Sequence, residues 1–237
     1  MAVKGSNFLQ NDDPDILVFV PSKNDWTEPA RLAQEIVELG DEYRVLIIDD
    51  GSDISVPSHE FPQHVLFATL PSNYGLGLCT QISLEHAAVH AYRIVARVDA
   101  DGQHPVAKIP DLVGPISRGE ADFVTGRRTS RPTPRTLRSV LTEVVRVYFQ
   151  QVGRLVVRGR RFDDLSSGFM AFGPEAIRVF RQIDLVRYPE AQIVLLAARL
   201  GLRVAVVDVE PSVRASGQST IGIGQAFQII YRFTIFV

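Results

Sequence analysis

Residues Ile94 to Pro105 read IVARVDADGQHP, an apolar run that passes directly into two aspartates. The run from Ile94 to Val98 has the length and side-chain character of a buried strand. Asp99 and Asp101 follow it at once, in a turn. Two carboxylates at this spacing can hold one hard divalent cation such as Mg²⁺ or Mn²⁺. An isolated Asp-x-Asp is also the pattern of an ordinary surface turn, so its surroundings decide its meaning.

Short apolar runs of the same kind alternate with helical patterns on both sides of this stretch. Further strands are predicted over residues 16–20, 44–48, 65–68, 122–125 and 203–209. Helices are predicted over residues 27–39, 76–91, 106–118, 136–157 and 190–200, with a loop over 163–168. This alternation predicts an α/β fold, with a Rossmann-like, mostly parallel central sheet flanked by helices.

Polar clusters stand where three of the predicted strands end. They are Pro21 to Asp25, Asp49 to Asp53 and Asp99 to His104. Ligands of open parallel sheets bind outside the carboxyl ends of the strands. The three clusters together therefore predict one binding site at that edge, which the needs of stability alone do not readily explain.

Two of the turns have a binding interpretation and a structural one. An aspartate of the pair Asp49-Asp50 can accept hydrogen bonds from a base or a ribose, with Gly51 permitting a tight turn, or it can cap the next segment. Residues Asn73 to Gly77 resemble the entry to a helix N-terminus, where backbone N–H groups favour an anion. The sequence leaves these alternatives open.

Composition excludes several classes of protein. The chain has 237 residues, 46% hydrophobic and 22% charged, which allows one large domain with a substantial core. A net charge of −2 offers no general basic field for nucleic acid. The one cysteine, Cys79, excludes an intrachain disulfide and fits a reducing cytosol. The polar, acidic start of the chain is unlike a secretory signal, so we expect a cytoplasmic protein.

Charge is nevertheless uneven along the chain. Between Arg127 and Arg161 there are ten arginines and one acid, Glu143. Such a segment favours a local anionic partner, either phosphate or an anionic membrane surface, although a solvated basic helix face has the same composition.

The two ends of the chain differ from its middle. Residues 1–14 are expected to form a flexible N-terminus. Residues 221–237 are mostly apolar and predict a C-terminal amphipathic or apolar helix, which could rest peripherally on the cytoplasmic face of a membrane. The alternatives are a helix packed on the domain or a homodimer contact. No window reaches the length of a spanning helix, so the chain is either peripheral or part of a longer protein.

Seven short motifs follow one another along the chain: Val20-Pro21-x-x-Asn24, Asp49-Asp50-Gly51-Ser52, Asn73-x-Gly75-x-Gly77, Asp99-Ala100-Asp101-Gly102-Gln103-His104-Pro105, Gly126-Arg127-Arg128, Asp164-x-x-Ser167-Gly168-Phe169 and Arg214-x-x-Gly217-x-Ser219. In this order they resemble the motifs of family 2 inverting glycosyltransferases, on the branch of dolichol-phosphate mannosyltransferase and the bacterial polyprenyl-phosphate glycosyltransferases. The resemblance implies a GT-A fold, a nucleotide-binding α/β domain, over residues 15–220.

The resemblance also implies roles for individual residues. Asp99 and Asp101 would bind the metal, Asp164 would act at the reacting carbon, and Arg135 and Arg214 would meet donor or acceptor phosphate. The nucleotide-sugar site would contain Pro21, Lys23, Asp25, Asp50, Asp99, Ala100, Asp101, Gln103 and Arg128.

The chain departs from the family's pattern at three places. Lys23-Asn24-Asp25 replaces the common Tyr-Asn-Glu, which puts the base contact in doubt. Arg127 replaces the usual serine and adds charge beside Arg128. Thr220 stands where a lysine is often found, which weakens a phosphate site there.

The function expected is Mg²⁺- or Mn²⁺-dependent transfer of a sugar from a UDP- or GDP-sugar to a polyprenyl phosphate. A phosphate acceptor is already anionic near neutral pH and needs cations more than a base, and guanidinium groups pair bidentately with phosphate. The alternatives are a soluble family 2 enzyme acting on a glycan or protein hydroxyl with Asp164 as general base, and a non-catalytic nucleotide-binding protein. A sugar-nucleotide pyrophosphorylase would want a glycine-rich loop after the first strand, where Pro21-Ser22-Lys23-Asn24 stands instead.

Overall fold

A single seven-stranded sheet organises the described part of the chain. The computed structural model describes residues 15–57, 61–101, 104–129, 147–148, 151, 164–165, 167–185 and 189–210. The strands are β1 (Ile16–Ser22), β2 (Tyr43–Asp49), β3 (Leu66–Thr69), β4 (Ile94–Arg97), β5 (Phe123–Arg128), β6 (Met170–Phe172) and β7 (Val204–Val209). Their order is β3-β2-β1-β4-β6-β5-β7, and all neighbours are parallel except that β6 runs antiparallel to β4 and β5.

Helices cover both faces of this sheet. They are α1 (Thr27–Val37), α2 (Leu76–Val89), α3 (Ile109–Ser117), α4 (Pro174–Phe180) and α5 (Glu190–Arg199), and a short 3-10 turn, Val106–Lys108, precedes α3. No helix within the described ranges combines the length and the apolar character needed to cross a lipid bilayer.

The core lies in two layers, one on each side of the sheet. β1 is buried along its whole length, and its side chains alternate between the layers. Leu17 and Phe19 pack with residues of α2, α4 and α5, whereas Val18 and Val20 pack with residues of α1 and α3. Strands covered on both faces read as continuous apolar runs, which is why the pattern predicted them.

The predicted α/β class, with helices on both faces of a mostly parallel sheet, is confirmed. Two elements were not predicted, β6 and α4. The predicted helix over residues 106–118 is divided, because its first turn is the 3-10 segment and α3 itself starts at Ile109. The predicted helix over residues 136–157 lies almost entirely outside the described residues, as do the N-terminus, 1–14, and the C-terminal helix, 221–237.

Candidate functional site

The loops that follow β1 and β2 are joined by side-chain hydrogen bonds. Asn24, which has a left-handed backbone with φ 56°, donates its amide N–H to Ser52 Oγ at 2.8 Å. Its side chain accepts from the Asp53 amide at 2.7 Å and donates to Asp53 Oδ2 at 3.0 Å. The predicted nucleotide contacts Pro21, Lys23 and Asp25 therefore lie in or beside one loop tied to its neighbour, at the carboxyl edge of the sheet. Their contact with a nucleotide stays a prediction.

Asp50 organises the next loop along the edge. Its buried carboxylate accepts the amide N–H of Tyr74 at 2.7 Å and that of Gly75 at 2.9 Å. Gly75 directly precedes α2, so the anion that lies beside this helix entry is the protein's own Asp50. Gly51 sits at φ 68°, and a Cβ there would overlap the backbone of Ser72. Asp50 therefore caps the segment that leads into α2, which is one of the two roles expected for this turn. Its contact with a nucleotide stays a prediction.

Asp99 is held on its backbone and on one carboxylate oxygen. Its amide N–H donates to His104 Nδ1 at 2.9 Å, and its Oδ1 accepts from Arg97 Nε at 2.8 Å. Burial works to raise the pKa of Asp99, but the positive charges of Arg97 and Arg128 hold it below the usual value. Asp99 is consequently ionised at neutral pH, as a metal ligand must be.

Gly168 leaves room for the second oxygen of Asp99. A Cβ at Gly168 would overlap Asp99 Oδ2 and come within 2.9 Å of Oδ1. Oδ2 accepts no hydrogen bond from the described residues. The Ser167-Gly168 motif therefore has a steric reason at this position.

His104 is neutral in this arrangement. Its Nδ1 accepts the Asp99 amide and so carries no proton. Burial lowers the pKa of His104, although the carboxylates of Asp99 and Asp101 oppose that shift. The ring also lies against Phe169, with centroids 5.1 Å apart. His104 thereby fixes the turn that carries the two aspartates.

Asp101 and Arg128 belong to the same electrostatic site as Asp99. Burial works to lower the pKa of Arg128, but Asp164 and then Asp101 and Asp99 raise it overall. Ala100 lies between the aspartates and is partly buried. Gln103 lies outside the described residues.

The donor set suits Mg²⁺ or Mn²⁺. Among the described residues, no three histidine, cysteine, aspartate or glutamate side chains form a group that could hold a metal on their own. Mg²⁺ is usually bound through one or two carboxylates, with water and substrate phosphates completing its shell. Two carboxylates in one turn, one of them with an oxygen that accepts no hydrogen bond from the described residues, fit that description.

Arg128 and Asp164 form a forked ion pair across the site. Arg128 Nε donates to Asp164 Oδ2 at 2.8 Å and Nη2 donates to Oδ1 at 3.1 Å. The carboxylate is almost completely buried, with 1% of its side chain exposed. The predicted catalytic residue is therefore engaged at both oxygens by the predicted donor-binding arginine.

Arg127 is directed elsewhere. It lies opposite Asp208 in the β5–β7 register and donates to both of its oxygens, at 2.6 and 2.9 Å. The extra charge that replaces the family's serine is therefore balanced by an acid on the neighbouring strand. Arg135 and Arg214 lie outside the described residues.

Sequence reasoning missed Arg97 and Glu190. Arg97 is fully buried at the end of β4, and its Nη2 donates to Glu190 Oε1, at the start of α5, at 2.8 Å. An arginine in an otherwise apolar strand, two residues before Asp99, was the available signal. Nothing in the sequence indicated its partner 93 positions away.

The sequence matches the profile of a known protein family. The profile of the family described as Glycosyl transferase family 2 matches residues 17–180. The match spans the sheet from β1 through β6, and it includes Asp99, Asp101, Arg128 and Asp164.

Curated relatives are distant. An undecaprenyl-phosphate 4-deoxy-4-formamido-L-arabinose transferase of Shewanella sediminis is 24% identical over 201 residues, 81% of this chain and 56% of that protein. An uncharacterized protein of Methanocaldococcus jannaschii is 23% identical over 89% of this chain and 86% of its own length. The chain therefore spans little more than half of the first relative.

Solved structures confirm the fold. Glucosyl-3-phosphoglycerate synthase from Mycobacterium tuberculosis, crystallised with Mn²⁺, UDP and phosphoglyceric acid, superposes with a TM-score of 0.72. Its sequence identity is 20%, over 94% of this chain and 78% of that one. The same synthase was also crystallised with Mg²⁺ and UDP, and that structure gives a TM-score of 0.71. At this identity the likeness establishes the predicted GT-A architecture.

Proposed function

The chain belongs to glycosyl transferase family 2, and from that premise we propose that it transfers a sugar from a nucleotide-diphosphate sugar to a polyprenyl phosphate with the help of Mg²⁺ or Mn²⁺. The observation that carries the proposal is the placement of Asp99 and Asp101 directly after β4, at the carboxyl edge of the sheet, beside Arg128. Open α/β sheets bind nucleotides at that edge.

The donor half of the proposal rests on charge. Asp99 and Asp101 would hold the cation, which, when bound, supplies positive charge to the departing nucleotide diphosphate. Arg128, at the end of β5, adds the positive charge of its guanidinium to the same site while it stays paired with Asp164. The mycobacterial synthase of similar fold was crystallised with Mn²⁺ and UDP, which supports this assignment. Pro21, Lys23, Asp25 and Asp50 would line the nucleotide part of the site.

The acceptor half rests on the engagement of Asp164. A general base must come within hydrogen-bond reach of the hydroxyl that it deprotonates, and the Asp164 side chain is only 1% exposed. Both oxygens of Asp164 already accept hydrogen bonds from Arg128. A phosphate acceptor is ionised before it reacts, so it needs cations near it rather than a base. The name of the Shewanella relative, an undecaprenyl-phosphate transferase, agrees with that choice.

A hydroxyl acceptor is the second candidate. Asp164 is buried beside the metal-binding turn, and if Arg128 turned toward the donor diphosphate the carboxylate would be released to act as a base. The synthase of similar fold is named for phosphoglycerate and was crystallised with phosphoglyceric acid. In that case Asp164→Asn would abolish transfer to the hydroxyl.

The test supplies radiolabelled UDP- and GDP-sugars, Mn²⁺ and undecaprenyl phosphate in detergent to the purified chain. We expect label to enter the organic phase as a lipid-linked sugar and this transfer to stop with EDTA or in Asp99→Asn. Transfer to glycan or protein hydroxyls but never to the lipid phosphate would contradict the acceptor. Donor binding with neither transfer nor hydrolysis would favour a non-catalytic nucleotide-binding protein.

A further inference from the structure

Arg97 is a charged residue at a position where burial makes a charge unfavourable. It ends the apolar strand β4, it is completely buried, and it is among the largest fully buried side chains in the described part of the protein. Removing a guanidinium from water is strongly unfavourable unless its partners compensate. A methionine or leucine would fill the same space without that cost. The presence of a charge here therefore calls for a reason beyond packing.

Two carboxylates from distant parts of the chain partly compensate this charge. Nε donates to Asp99 Oδ1 and Nη2 donates to Glu190 Oε1, each at 2.8 Å. Arginine keeps its proton in proteins, so the buried guanidinium stays charged between these two carboxylates. Its Nη1 has no hydrogen-bond partner among the described residues. An incompletely satisfied buried cation is a poor device for stability alone.

The bond to Asp99 fixes the carboxylate that the proposed function assigns to the cation. Arg97 holds Oδ1, and His104 holds the backbone amide of the same residue. Gly168 leaves space at Oδ2. Asp99 is thus held from two sides while one oxygen remains available.

The negative charge of Glu190 offsets the positive charge that Arg97 places beside Asp99. An arginine beside a metal ligand repels the cation and reduces the charge that the ligand offers. Because Arg97 lies between two carboxylates, the group of three has a net charge of about −1, and Asp99 keeps much of its attraction for a cation. The same bonds link the first residue of α5 to the turn after β4.

We propose that Arg97 and Glu190 are positioning residues, which together orient Asp99 for the divalent cation and keep it sufficiently negative to bind one. The inference rests on the proposed function, since it concerns the same metal site. Neither residue touches the reacting atoms in this view. Partners that orient ligands from behind typically contribute about 10- to 100-fold to metal affinity.

Glu190→Gln is the decisive variant, because glutamine keeps an oxygen for Arg97 and removes only the charge. We expect the Kd for Mn²⁺, measured by electron paramagnetic resonance in the presence of UDP, to rise about 10-fold. The matched control is Glu175→Gln, which removes the acid of an exposed Glu175–Arg178 pair on α4. The control should leave the Kd for Mn²⁺ unchanged.

Thermal unfolding of the same variants separates positioning from stability. A Glu190→Gln protein with a lowered Tm and an unaltered Kd for Mn²⁺ would overturn the proposal. Should that variant not fold, Arg97→Lys takes its place. Lysine keeps the charge without the guanidinium fork, so a Kd about 10-fold higher supports positioning and an unchanged Kd overturns it. A wild-type chain that binds neither Mn²⁺ nor UDP contradicts the proposed function itself.

Discussion

Arg128 closes over Asp164 with a two-pronged ion pair, while the adjacent Arg127 makes a pair of the same kind with Asp208. The first pair joins the end of β5 to a carboxylate with 1% of its side chain exposed. In the second pair, the side chains of Arg127 and Asp208 are 39% and 52% exposed. Neighbouring residues of one strand thus carry the same chemistry in two environments, which makes each a control for the other.

Arg128→Met should destabilise the fold much more than Arg127→Met. Removing Arg128 leaves Asp164 buried and without its guanidinium, at a cost of about 3 kcal/mol, near the lower end for buried pairs because water reaches Arg128. Removing Arg127 breaks a solvated pair and should cost less than about 1 kcal/mol. Urea unfolding of both variants provides the comparison. Equal losses would show that the burial of Asp164 does not determine the strength of its pair.

Cys79 should be inert in the native protein. It lies completely buried in α2, and burial, with the nearby charge of Asp50, raises the pKa of its thiol to about 12. The thiolate is the reactive form, so at about pH 8 the folded chain should not react with iodoacetamide, whereas the chain in guanidinium chloride should react within minutes. Mass spectrometry of pulse-alkylated samples gives the result. Rapid native labelling would mean that α2 opens far more readily than its packing indicates.

Some strands of this fold are predictable from the sequence, because their burial determines the composition of a short stretch of chain. A strand buried on both faces must be apolar throughout, so β1, β2 and β4 are recognisable from their composition, and the acids after them follow from sheet geometry. Strand β6 escapes detection because three residues, Met170 to Phe172, are too few to show a pattern. Its antiparallel pairing is fixed by β4 and β5, which lie on either side of it.

The positions of the candidate site residues in the fold were predictable from the sequence, whereas most of their contacts were not. Asp99 and Asp101 stand where the pattern put them. Whether Asp50 faces a ligand or a backbone amide depends on a loop 24 positions later, and the partner of Arg97 comes from a helix 93 positions later. The tertiary fold brings such residues together, so short-range sequence patterns do not predict their pairing. For the pairing with Glu190, the sequence signal was the arginine, Arg97, in the otherwise apolar strand β4.

The ion pair between Asp122 and Arg203, which joins the starts of β5 and β7, should weaken in acid. Asp122 accepts the Arg203 amide at 2.8 Å and two guanidinium nitrogens, which lower the pKa of its carboxyl. A depressed folded-state pKa adds stability that is complete above the unfolded value of about 3.9 and is lost as pH falls through the folded value. Asp122→Asn should therefore lower the free energy of unfolding by about 1 kcal/mol at about pH 7, and by progressively less below about pH 4. Urea unfolding at neutral pH and at two values below about pH 4 tests this, and a pH-independent difference would refute the ionic origin.

Gly168→Ala should damage the metal site while leaving the fold largely intact. The added Cβ would overlap Asp99 Oδ2, so the carboxylate must turn away from its bond with Arg97 or the loop must shift. Ligand groups tolerate only about 0.5 Å of displacement, so we expect a Kd for Mn²⁺ at least about 10-fold higher and a matching loss of sugar transfer.

The control for Gly168 is another glycine with forgiving surroundings. Gly114 lies inside α3 and directly before Pro115, and apart from its chain neighbours a Cβ there would meet the movable end of the Arg118 side chain, at 2.9 Å. Alanine is favoured over glycine in a helix by up to about 1 kcal/mol, and the restriction that Pro115 places on the residue before it offsets that gain. Gly114→Ala should therefore change Tm little and bind Mn²⁺ as the wild type does. If both variants kept the wild-type Kd for Mn²⁺, the space beside Asp99 Oδ2 would have no part in metal binding. Asp101 would then have to be the principal carboxylate ligand.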